Sequence, residues 1–110
     1  MAYALSARVL AALAVPTRRG MFERLVRRPH AVWELARLAG VSQPAASQHL
    51  RVLRAARLVT HERAGTRRNY RADHAGLVEL RRYLESMWDE VLAAYAADDP
   101  APPAKKSVKR

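Results

Sequence analysis

Apolar residues recur at helical spacing in five stretches of this chain, and a sixth stretch alternates instead. Leu5, Val9 and Leu13 fall four apart, which predicts a first helix over about residues 3–14. Pro16 suits the first turn of a second helix, where its missing N–H has no partner to lose. That helix turns Met21, Phe22, Leu25 and Val26 inward and ends near Arg28-Pro29. A third, Trp33 to Ala39, buries Leu35, Ala36 and either Leu38 or Ala39, with Trp33 on its outer side. Gly40 supplies a left-handed turn, and Ser42 caps a fourth helix running to about Ala56. The strand-like runs Leu58–Arg63 and Arg68–Arg71, joined around Ala64-Gly65-Thr66-Arg67, predict a hairpin. Leu77, Leu80, Leu84, Met87, Trp88, Val91 and Tyr95 then form one apolar stripe on a helix over 74–97.

The third and fourth helices, joined tightly at Gly40, have the spacing of a helix-turn-helix. The fourth buries Ala46, Leu50 and Leu53 and turns Ser47, Gln48 and Arg51 outward, after Ser42-Gln43-Pro44 at its start. Small hydrogen-bonding groups on one face suit a helix that enters the DNA major groove. A hairpin following such a helix is a wing, and its Arg63, Arg67, Arg68 and Arg71 are expected at phosphates or the minor groove. The architecture predicted is mainly α with a small β-hairpin: a winged helix-turn-helix of five helices and a two-stranded wing. The last helix, about 36 Å long at 1.5 Å per residue, exceeds what a small domain needs to cover itself. Its surplus stripe is expected to bury against a twofold copy.

Composition sharpens this picture. The 110 residues include twenty Lys and Arg against ten acids, net +10, which favours a polyanionic partner. Residues 1–72 hold fourteen Arg and three acids, whereas 73–97 hold two Arg and five acids. Positive charge therefore gathers on the part with the reading helix. Residues 1–97 are expected to form one DNA-binding and dimerisation domain, and 98–110, rich in Pro and Lys, a disordered basic tail. The apolar run near the start is broken by Arg8, and no apolar segment reaches 18 residues, so neither signal peptide nor membrane span is expected. A cytoplasmic location follows. No nucleophile–base pair, phosphate loop or evident carboxylate pair points to an enzyme.

With these residues in view, the chain resembles the ArsR-type winged-helix repressors. The resemblance rests on Ala14-Val15-Pro16-Thr17-Arg18-Arg19, Glu34-Leu35-Ala36, the run from Ser42 to Leu50, Leu53, Leu58-Val59, Gly65-Thr66-Arg67-Arg68 and Tyr70. It covers about residues 5–97, and its nearest group is the metal-independent, SdpR-like one. It implies a homodimer through the first and last helices and repression of a promoter (often the protein's own); no cofactor is expected. It assigns DNA contacts to Gln43, Pro44, Ser47 and Gln48; Ser42, Arg51, Arg63, Arg67 and Arg68 complete the expected surface. Glutamine pairs with adenine, and proline touches a thymine methyl. The interface is expected at Leu5, Val9, Leu13, Leu80, Leu84, Met87, Trp88, Val91 and Tyr95. Two positions depart from the family's pattern: Val15 stands where Asp usually caps the second helix, and Arg57 where Gly often ends the fourth.

Two other readings compete with this one. Many members of the family sense metals, but this chain has no Cys, and further along the last helix Asp73 and His74 are joined by acids such as Glu85, Asp89 and Glu90 but by no second His. Zinc asks for more nitrogen or sulfur ligands than that. No metal site is expected. A winged helix can also be a protein-interaction module, yet such a module would show aliphatic groups where Gln43, Ser47, Gln48 and Arg51 stand. His49 falls on the inward side of its helix and reads as a half-buried, hydrogen-bonded structural residue.

Overall fold

The structure, a computed structural model, describes residues 2–98. Its elements run α1 (Ala2–Ala14), α2 (Pro16–Arg27), β1 (His30–Ala31), α3 (Val32–Ala39), α4 (Gln43–Ala55), β2 (Val59–Ala64), β3 (Arg67–Ala72) and α5 (Ala75–Asp98). Two compact units divide within α5, after Leu80. The first holds the helix-turn-helix, the sheet and the first turns of α5; the second begins at Arg81 with the remainder of that helix. The tail expected from 98 onward lies outside the described residues, apart from the end of α5 at Asp98.

The core forms where helical stripes converge. Val9 and Ala12 of α1, Met21, Phe22 and Leu25 of α2, Leu35 and Ala36 of α3, and Ala46, Leu50 and Leu53 of α4 are all buried together. Leu58, Val59 and Tyr70 close it from the sheet, and Leu77 and Leu80 of α5 pack at its edge. Ser6, buried on α1, donates through Oγ to the carbonyl of Glu79 at 3.3 Å, fixing the start of α5.

Chain ends of the helices are satisfied in ways the sequence explains. Gly40 takes φ +70°, and the N–H groups of Gly40 and Val41 bond back to the carbonyls of Arg37 and Ala36. The same double bond ends α4, from Arg57 to Arg54 and from Leu58 to Leu53. There, however, Arg57 occupies the left-handed position with φ +59°. Ser42 accepts the Ala45 N–H at 3.2 Å and starts α4. Val15 gives α2 no side-chain cap, as its hydrocarbon side chain dictates. Arg18 and Arg19 instead reach back to carbonyls of Ala11, Ala12 and Leu13, serving the C-terminal end of α1.

The two-stranded wing forms as expected, and a short third strand joins it in the order β1-β3-β2, where His30 and Ala31 pair with Tyr70 and Asn69. Three expectations need correction. Val9, expected at a dimer interface, is wholly buried in the chain's own core. The outward side of α1 is carried instead by Leu10 among alanines. Val26 is 59% exposed, since α2 is phased on Met21, Phe22 and Leu25. His49 is half-buried as expected, but makes no hydrogen bond among the described residues.

Candidate nucleic-acid interface

The outward face of α4 carries Gln43, Pro44, Gln48 and Arg51 in the open and Ser47 partly covered. Its buried stripe, Ala46, Leu50 and Leu53, locks the rotation of the helix, so these groups cannot turn away. Ser42 is exposed, but its oxygen is committed to capping the helix. Arg51 donates through Nη1 to Oε1 of Gln48, one turn back.

The wing stands beside this face. Gly65, with φ +69°, takes the first of two turn residues between β2 and β3, where a hairpin of this length needs positive φ. The register then sets Arg63 directly opposite Arg68, and Ala64 opposite Arg67. Like charges facing across a strand pair repel. Among the described residues no carboxylate bridges Arg63, Arg67 or Arg68, whereas neighbouring Arg71 has Glu62 at 3.6 Å. The wing tip thus holds cations that the described residues leave uncompensated.

Helix and wing enclose an open cleft of about 500 Å³. It brings together Gln43 and Ser47 of α4 with Arg63, Arg67 and Arg68 of the wing. Trp33, Thr66 and Tyr70 complete it with Ala31 and Val32. Pro44, Gln48 and Arg51 lie outside this cleft; Arg51 faces a second, smaller groove with Arg54, Arg57 and Asp73. Thr66 and Tyr70 do not stand out in the sequence as site residues. In sequence Trp33 is an outward aromatic that flanks the DNA backbone or a neighbouring protein, or packs there without function, and the Trp33–Arg37 spacing of four is the signal that points to their contact.

At the root of the wing, His61 meets Tyr70 edge-on, ring centroids 5.0 Å apart. Its Nδ1 is occluded and has no hydrogen-bond partner. Burial, with Arg54, Arg68 and Arg63 nearby, holds its pKa below the usual 6.5. The neutral imidazole is therefore the favoured form at the root of the wing. Among the described residues, no group of three or more His, Asp or Glu side chains is placed to hold a metal ion.

The helix-turn-helix domain family matches residues 13–62, which span α2 to β2. The HTH-type transcriptional regulator Rv2034 of Mycobacterium tuberculosis is 54% identical over 85 residues, 77% of this chain and 79% of that protein. An ArsR-like transcriptional regulator from Rhodococcus sp. RHA1 superposes with a TM-score of 0.73 at 36% identity, covering 88% of this chain and 94% of that one. The chain belongs to the ArsR family of helix-turn-helix transcriptional regulators. Another relative is the homodimeric winged helix-turn-helix DNA-binding domain of Mb0332 from Mycobacterium bovis, a possible ArsR-family transcriptional regulator. It superposes with a TM-score of 0.61 at 31% identity, over 86% of this chain and 82% of that fragment. As an ArsR regulator this chain is a DNA-binding protein of transcription control, and no helix among its described residues is long and apolar enough to cross a membrane.

Proposed function

We propose that this ArsR regulator is a cytoplasmic repressor that binds an inverted-repeat operator as a homodimer, without a metal cofactor, in the manner of the SdpR-like group. The observation that carries this reading is the cleft that joins the polar start of α4 to three uncompensated wing arginines. Gln43 and Gln48 read base edges in the major groove, Ser47 and Pro44 tolerate or touch what lies beside them, and Arg63, Arg67 and Arg68 bind phosphates. Arg51 reaches a phosphate one turn on. The dimer accounts for apolar surface left open on two helices. On α5, Leu84, Met87, Trp88, Val91, Leu92 and Tyr95 are all exposed. On α1, Ala7, Leu10, Ala11 and Ala14 are exposed and Leu5 and Leu13 partly covered; Leu80, near the start of α5, is partly covered too. Half-sites then lie about 10 base pairs apart.

A footprint of the purified protein over its own upstream DNA, with and without divalent metal ions, tests this reading. A protected, twofold-symmetric site insensitive to metal is expected. Protection that a metal ion abolishes would replace it with a metal-responsive regulator. In the double variant Gln43→Ala and Gln48→Ala, preference for that site over random DNA should vanish while the dimer persists. Retained preference would show that other residues read the sequence.

A further inference from the structure

We propose that Trp33 is a backbone contact: its indole N–H donates to a phosphodiester oxygen of the DNA strand that passes between α4 and the wing. The inference rests on the DNA-binding reading above and adds to it a residue from the other helix of the motif. Trp33 sits in the first turn of α3, 39% exposed, and lines the same cleft as Gln43, Ser47, Arg67 and Arg68. One turn along α3, the Arg37 guanidinium lies 5.5 Å from the centre of the indole ring. That stacking steadies the ring and sets a cation beside it. An indole N–H can donate but not accept. Trp33 makes no hydrogen bond to another described residue, so its N–H is open to a partner from outside.

The one acid in this turn is already committed. Glu34 accepts the Ala31 N–H at 3.0 Å and faces Arg28 at 3.3 Å, which together hold its carboxyl below the usual range. Among the described residues no carboxylate lines the cleft to serve the indole or the wing arginines. A free donor, a stacked cation and further cations across one cleft call for an anionic oxygen from outside. With α4 in the major groove, the strand bordering that groove presents phosphates along its length. A base edge is the weaker candidate, because Trp33 stands on α3, off the face that α4 presents.

Fluorescence of the full chain separates the possibilities, since Trp88 is the only other tryptophan. Acrylamide quenching of the wild type and of Trp33→Phe isolates the Trp33 signal. Random-sequence duplex DNA should shield that signal, and inorganic phosphate at matched ionic strength should not. The Phe variant keeps a ring but loses the donor. It should bind both operator and random duplex about three- to tenfold more weakly, with their ratio unchanged. Gln43→Ala should change the ratio instead. Trp33 equally quenched with and without DNA, equally shielded by free phosphate, or replaceable by Phe at no loss would overturn the assignment. A wild type that binds no DNA at all would remove the underlying reading as well, so the two failures are distinct.

Discussion

Single residues carry the sharpest departures from a family-typical chain. Arg57 adopts a backbone conformation in which a Cβ is costly, yet the turn it makes is the one a glycine would make. Arg57→Gly should therefore raise stability by about 1 kcal/mol in urea unfolding. Gly76 is the reverse case. A Cβ there would meet the backbone carbonyl oxygens of Ala56 and Arg57, the second at 2.9 Å, and the Gly76 N–H bonds to the Arg57 carbonyl at 2.7 Å. Gly76→Ala should cost about 2–3 kcal/mol, because backbone cannot give way as a side chain can. His61 predicts a pH dependence. Its folded pKa is depressed, so the unfolded chain binds the proton more readily. The stability it contributes is present above pH 6.5, is lost as the pH falls through that value, and levels off below the folded pKa. Thermal melting between about pH 7.5 and 5 should show that acid limb, shallower in His61→Gln; superimposable profiles would assign it to other groups.

Among the elements, α4 and the turn before it are the most legible in sequence, because Gly40 ends α3, Ser42 starts α4 and the 46/50/53 stripe sets its phase, each independently. The strand β1 was not legible. Two residues carry no period, and their partners, Tyr70 and Asn69, lie some forty positions away. In α1 the ambiguity was one of phase. That helix is apolar nearly all round, so periodicity alone did not say that Val9 faces inward and Leu10 outward. The wing was legible as an Arg-bearing hairpin, but the cleft it shares with Gln43 and Trp33 is a product of tertiary packing. Its energetic role is open to direct measurement. Replacing Arg67 and Arg68 by Ala should reduce the slope of log affinity against log salt by about 2, one for each phosphate no longer neutralised. An unchanged slope would take the wing tip off the DNA.

At the scale of the whole molecule, net charge of +10 would oppose bringing two copies together, and the exposed stripe on α5 is what has to outweigh it. Trp88, 62% exposed, and Leu84, 50% exposed, are two of the uncovered apolar side chains there. A Leu84→Glu, Trp88→Glu variant should sediment as a monomer. Its operator affinity should fall by about a hundredfold or more, since the second half-site is no longer held at high local concentration. Its affinity for a single half-site should stay within a few-fold of the wild type. A double variant that remained dimeric would move the interface elsewhere.

The hydrogen bond from Arg51 to Gln48 bears on how recognition proceeds. Pairing with adenine uses both ends of a glutamine amide, its carbonyl as acceptor and its NH2 as donor. In the free protein the carbonyl end of Gln48 is occupied, so the helix arrives at DNA with its own internal competitor for the base. If Gln48 reads a base as proposed, binding at that position would be an exchange in which Arg51 releases Gln48 and turns to a phosphate. A sequence without adenine there would then leave the original pair intact, and a wrong site would be rejected by failing to open that pair, with no steric penalty required.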